Sequence, residues 1–248
     1  MSRTACVFHI HTRHSYDCIA RPRKTVDWAR RHGIRVLGIT DHNTIAGAVE
    51  AADRARHSGV QVIIGAEYAT SHGDIIGLFL TDEVRSRDAF DVIDAIRAQG
   101  GVSVLPHPYH GHRATEELAR AVDVVEVFNA RCSDAQNHQA LELARIQNKP
   151  MLAGADAHFI SELGSCICYV DATRPITPAA LLSADRTWVA TVSPKTGLYW
   201  SQVIKGWKSR DPALAKAHLR AVLLDYLRRT AGEWGYGQLR RAWKAGTK

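Results

Sequence analysis

The chain has 248 residues, is 46% hydrophobic and 23% charged, and carries a formal net charge of +7. It is long enough for a substantial core and for a barrel built as one domain. Its basic balance favours acidic partners such as phosphates, nucleotides or nucleic acid, but it is silent on fold.

Five cysteines (Cys6, Cys18, Cys132, Cys166, Cys168) are an odd number without CxxC spacing, which fits reduced thiols rather than a disulfide framework. No apolar run approaches the ~20 residues of a membrane helix. The N-terminus lacks the apolar core of a signal peptide. The expectation is a soluble, cytoplasmic protein with no membrane association. The 13 histidines stand out, because several fall at the ends of apolar runs.

In chain order, residues 5–10 predict a first strand that ends in His9 and His11. Alternate residues of a strand share a face, so the two imidazoles are expected side by side. Pro22 opens a helix that Gly33 closes. Residues 35–40 predict a second strand, ending in Asp41-His42, and Asn43 is placed as the cap of the following helix. Residues 60–66 form an apolar strand ending at Glu67. A strand over 74–80 follows so closely that it is expected to be antiparallel or inserted. Ser86 is read as the cap of a helix stopped by Gly100-Gly101. Residues 102–105 form a strand ending in Pro106-His107-Pro108, and a short helix spans 115–121. A strand over 122–128 ends in Asn129-Ala130-Arg131. Ser133 and Gln136 resemble a capping box for the next helix. A buried strand over 150–154 ends in Asp156-Ala157-His158. Two further strands are expected over 166–170 and 188–192, with a short helix after Pro178.

Short apolar strands alternating with amphipathic helices predict α/β architecture with a parallel sheet. Metal-type side chains fall repeatedly at the strand C-terminal ends, where such folds keep their sites. No internal repeat or low-complexity segment is present. From Lys195 the composition shifts. Trp200, Trp207, Trp234 and Trp243 lie among Lys and Arg, with helical periodicity over 213–229. Residues 1–195 are therefore assigned to a barrel, and 196–248 to a basic, Trp-containing helical extension packed on it.

The strand-end set is His9, His11, Asp17, His42, Glu67, His107, Asp156 and His158. Imidazole with carboxylate suits zinc, manganese or iron. The absence of cysteine argues against a closed structural zinc site. Eight donors exceed the needs of one ion, so two or three are implied, able to activate water and hold a phosphoryl group from both sides. A buried Glu67 would itself need a partner such as a metal.

His9-Ile-His11-Thr…Ser15-Tyr-Asp17, Gly38-Ile-Thr-Asp41-His42-Asn43-Thr44, Gly65-Ala-Glu67, His107-Pro108 and Gly154-Ala-Asp156-Ala-His158 resemble, in order, the motifs of the PHP (polymerase and histidinol phosphatase) superfamily, over residues 5–195. The resemblance implies a distorted (β/α)7 TIM-like barrel, a di- or trinuclear centre and phosphoesterase activity. It implies a first metal on His9, His11, Glu67 and Asp156. Glu67 would bridge to a second on His107, and Asp17, His42 and His158 would hold a third. Many members place a histidine where this chain has Asp74, so Asp74 is either a substitute ligand or a strand residue, and His72 competes for the role.

Asp41 is expected to orient His42. His14 or His110 is the candidate to protonate the leaving group. Arg113 and Arg131 either bind phosphate or are surface charges. Asn129 bonds a ligand or a loop backbone. His32, His57, His138 and His218 fall on helices and are read as surface residues. The substrate expected is a small phosphomonoester, histidinol-phosphate-like or a nucleotide. The alternative is a phosphodiester, including a nucleic-acid 3′ end, which the basic tail keeps open. A non-catalytic metal-binding module is the third reading.

Overall fold

In the computed structural model, which describes residues 3–227, nine strands form one sheet among the described residues. β1 (Thr4–Ile10), β2 (Val36–His42) and β3 (Gln61–Thr70) pair in parallel. β4 (Gly73–Leu78) is antiparallel to both β3 and β5 (Val102–Leu105). Only Ser71 and His72 join β3 to β4, which leaves no room for a crossover helix and forces the hairpin. Parallel pairing resumes through β6 (Val124–Asn129) and β7 (Met151–Gly154).

Beyond β7 the chain returns to β1. Ala155 N–H donates to the Phe8 carbonyl at 2.9 Å, and His11 N–H donates to the Ala157 carbonyl at 2.9 Å. These bonds draw the sheet into a nearly closed, distorted TIM-like barrel. β8 (Cys166–Val170) pairs antiparallel with the start of β1, and β9 (Arg186–Ala190) pairs with β8. This antiparallel pair extends the sheet outside the βα alternation.

The helices α1 (Pro22–Arg31), α2 (Ala46–Ala55), α3 (Ala89–Ala98), α4 (Thr115–Ala121), α5 (Asp134–Ile146) and α6 (Pro178–Ser183) lie between the strands in sequence. Pro22 stands in the first turn of α1, and Gly33 beyond its end takes a φ of 71°. Val26 and Ala29 of α1 and Ala48 and Ala51 of α2 bury against Val7, Leu37 and Ile39 of the strands. Each fully buried Val, Leu or Ile contributes about 1.5–3 kcal/mol. The five cysteines are free and buried.

Two caps differ from expectation. Asn43 does not cap α2. Its side-chain oxygen accepts from Ala69 N–H at 3.1 Å, and α2 begins three residues later, after Ile45. Asp88, not Ser86, caps α3, accepting from Phe90 and Asp91 N–H, while the Ser86 hydroxyl accepts from Asp88 N–H at 3.1 Å. The Ser133–Gln136 capping box of α5 forms as its spacing predicts.

The chain divides into two compact units, Met1–Ser193 and Pro194–Lys248. In the second, α7 (Lys195–Lys208) precedes a further helix over 212–227. The remainder of the helical stretch expected to reach Arg229, with Trp234 and Trp243, lies outside the described residues. Among the described residues no helix is long and apolar enough to cross a membrane.

Candidate metal centre

The strands and the loops that leave them deliver all eight side chains to one place. All eight fall into three overlapping groups: His11, Asp17, His42 and His158; His9, His11 and Glu67; and His9, His107 and Asp156. A fourth group joins Glu67 and His107 to Asp74. Within each group the donor atoms lie within 4.8 Å of one another, and Glu67 and His11 recur between groups. Glu67 is central. Its carboxylate is 3.0 Å from His107 Nε2, 3.1 Å from His42 Nδ1, and 3.4 Å from both His9 Nε2 and His11 Nε2. It does not terminate its strand, because β3 continues to Thr70 to form the hairpin with β4.

Three of these residues adopt left-handed backbone conformations: His9 (φ 58°), His107 (φ 28°) and Asp156 (φ 45°). Such conformations cost a non-glycine residue roughly 1–3 kcal/mol each and cluster at functional sites. At His9 the strand register slips between Val7 and Ile10. His9 and His11 therefore come together, with ring centroids 5.3 Å apart, through a bulge and not by regular alternation.

Polar residues around the cluster fix its geometry. Glu126, fully buried on β6, accepts from His9 Nδ1 at 2.8 Å, from His107 N–H at 2.8 Å and from Asn129 Nδ2 at 3.0 Å. Holding the proton on Nδ1 turns the His9 Nε2 lone pair toward the centre. Gly154 is obligatory beside it, because a Cβ there would overlap the Glu126 carboxylate. Ser15 Oγ bonds His11 Nδ1 at 3.0 Å, donates to Asp41 at 2.8 Å and accepts from His42 N–H at 3.0 Å. Asp41 also receives the Thr12 N–H and hydroxyl, at 2.6 and 2.7 Å. It thus orients His11 through Ser15 and reaches only the backbone of His42. Glu162 accepts from His158 N–H at 2.9 Å and pairs with Arg131 at 3.2 Å, both side chains buried.

Electrostatics follow from this crowding. Burial would raise the Glu67 carboxyl, but His9, His42 and His107 outweigh it and hold it well below its ordinary range. Burial would lower His42 and His107, yet Glu67 carries both up to about 9, with help from Asp17 at His42. His11 goes the other way. Burial, with the charges of His158 and His42, lowers it to about 3, leaving a neutral imidazole. Burial and the nearby Glu67 raise Asp74 to about 6.

His9 Nε2, His11 Nε2, His42 Nδ1, His107 Nδ1 and Asp17 Oδ1 are buried and make no hydrogen bond. Orphaned buried nitrogens and oxygens are costly unless something binds them. Here they are imidazole and carboxylate donors, the set that divalent zinc, manganese or iron takes. The residues fit a metal centre.

The remaining candidates separate. Asp74 stands with Glu67 and His107. His72 does not, because its Nδ1 bonds Ser71 Oγ at 2.9 Å and its ring lies edge-on to Phe90. His14 Nε2 is engaged by Glu50 at 2.8 Å. His110 is exposed, and its ring lies 5.8 Å from that of His107. Arg113 is exposed, its N–H bonded to the His72 carbonyl. Arg131 is neither a surface charge nor an open phosphate clamp, since it pairs with Glu162 in a buried position. Asn129 bonds the carboxylates of Glu126 and Asp156 at 3.0 and 3.3 Å. Sequence reasoning missed Glu126 and Glu162. Glu126 had a signal: a lone charge inside Val124-Val-Glu-Val-Phe128 must find a buried partner.

Fold and donor set define the class, an α/β barrel with a candidate multinuclear metal centre at its strand C-terminal ends. The chain belongs to the PHP domain family, whose sequence model matches residues 8–149, and a PHP-associated model matches residues 134–186. An uncharacterized protein of Methanocaldococcus jannaschii is 39% identical over 139 residues, covering 49% of this chain and 80% of the relative. A 5′-3′ exoribonuclease of Haemophilus influenzae is 28% identical over 132 residues, 46% of each chain. Among solved structures, a two-domain Bacteroides vulgatus protein containing a predicted PHP-like metal-dependent phosphoesterase superposes with a TM-score of 0.66 at 20% identity, covering 77% of this chain and 65% of that one. PsfC of Pseudomonas syringae superposes with a TM-score of 0.63 at 17% identity, covering 84% of this chain and 99% of that one. At these identities both show the fold.

Proposed function

We propose that the protein hydrolyses a small phosphomonoester at this centre. The observation that carries the reading is the merging of the donor groups through Glu67 and His11, which suits several ions held side by side rather than one structural ion. Divalent ions bound there would offset charge on the phosphoryl oxygens and make water a better nucleophile. The chain's own part is positional. Glu126 and Ser15 hold His9 and His11 in the tautomers that face inward. Glu162 fixes the loop carrying His158. His110 is the stronger candidate to protonate the leaving group, because Glu50 already engages His14. Arg113 is the candidate for contact with the outer phosphate oxygens.

A phosphodiester substrate is the second reading, favoured by the likeness to the Haemophilus influenzae exoribonuclease over 132 residues. The test is a panel of mono- and diesters assayed on protein loaded with zinc, manganese or iron. Monoester turnover lost in a His9→Ala, His11→Ala double variant supports the reading. Equal turnover by that variant after thorough chelation refutes it.

A further inference from the structure

The two units of the chain carry charge of opposite sign. Of 32 Lys and Arg residues, 12 lie in Pro194–Lys248, with only 3 of the 25 Asp and Glu. That unit is therefore formally +9, and Met1–Ser193 is −2, so the whole positive excess resides in under a quarter of the chain. Four of the six tryptophans lie there too.

Within this unit, α7 and the helix over 212–227 approach closely at Gly206, where a Cβ would lie 2.5 Å from Ala215 N and 2.8 Å from the Asp211 carbonyl oxygen. Asp211 caps the second helix, accepting from Leu214 N–H at 3.0 Å. Away from that contact the helices bound a groove of about 1150 Å³, walled by Trp200, Lys216, Leu219, Arg220, Leu223 and Tyr226 among others. Trp200 and Tyr226 are 43% and 60% exposed, and Trp207 nearby on α7 is 71% exposed.

An apolar groove alone names no occupant, but the charge does, because a +9 unit takes a polyanion. The placement of the cations narrows it further. A helix built to lie in a lipid surface keeps its cations on the polar face, away from the apolar one. Here Lys216 and Arg220 stand within the same exposed stripe as Leu219, Leu223 and Tyr226, at helical spacing. Cations and aromatic faces sharing one groove suit a strand that offers phosphates and flat bases together.

We infer that this helical pair binds single-stranded nucleic acid, stacking bases on Trp200 and Tyr226 and meeting phosphates with Lys216 and Arg220. The diester reading of the barrel would give this unit the same class of ligand, but the inference does not depend on it.

The test is anisotropy of labelled oligothymidylate and oligouridylate of about 20 nucleotides with the full chain, in EDTA so that hydrolysis plays no part. The expected result is binding that weakens steeply between about 50 and 200 mM salt. Lys216→Glu with Arg220→Glu should lower affinity at least ~10-fold and flatten the salt slope by about 1.4, at ~0.7 per phosphate contact. Trp200→Ala with Tyr226→Ala should weaken binding with the slope kept. If the Glu pair loses helical circular dichroism, Lys216→Gln with Arg220→Gln decides by the same criterion. Absence of binding at about 50 mM salt, or unchanged affinity in the charge variant, overturns the inference. So does sedimentation with phosphatidylserine vesicles in a protein that ignores both oligonucleotides.

Discussion

At the scale of single residues, Glu126 shows how a site depends on groups that never touch the substrate. Both its oxygens are used, one on His9 and the other on His107 N–H and Asn129. Glu126→Gln keeps the size but weakens the acceptor for His9 Nδ1. Metal affinity in a chelator-buffered titration should fall about 10–100-fold, the usual cost of losing such a partner. An unchanged affinity would mean His9 is oriented by packing alone. The clustering of the strand-end candidates was legible because histidine and carboxylate at the close of an apolar run have few other uses. Arg131 was not legible, since its partner Glu162 lies 31 residues away and only the fold joins them.

Among the elements, the strands followed from their apolar runs, and the short β3–β4 link announced its antiparallel turn. The errors fell at helix starts and strand ends. Ser86, Asp88 and Asn43 are all competent caps, and sequence cannot say which is aimed at a free N–H. The bulge at His9 was equally hidden, because a left-handed histidine leaves no compositional trace. Where a capping box has correct spacing the reading was firm, and its energy can be checked. Ser133→Ala should cost about 1 kcal/mol, lowering the melting temperature by roughly 2–4 °C for a domain of this size. A shift near zero would show that tertiary packing alone holds α5.

At the level of the whole molecule, the barrel gathers carboxylates and imidazoles from five strands into groups that could hold metal ions. Without ions, Glu67 holds protons on His42 and His107 up to about 9. Metal binding needs those nitrogens unprotonated, so ions and protons compete. His11, lowered to about 3, is already neutral and releases nothing. Glu126, Asp156 and Glu67 hold the His9 proton up as well, so metal binding near pH 7 should release protons, and apparent affinity should rise with pH through about 9. Calorimetry in two buffers of different ionisation enthalpy measures the release, and identical heats in both would contradict it.

The central claim, that these strand ends form a multinuclear metal centre, is tested most directly by counting ions. Protein reconstituted with manganese, zinc or iron and freed of excess should be analysed for metal per chain, alongside an Asp17→Asn, His158→Ala variant. Two or three ions are expected in the native chain and one fewer in the variant, whose lost donors belong to the group with His11 and His42. A native chain that retains no ion, or holds a single ion unaffected by the variant, would contradict it.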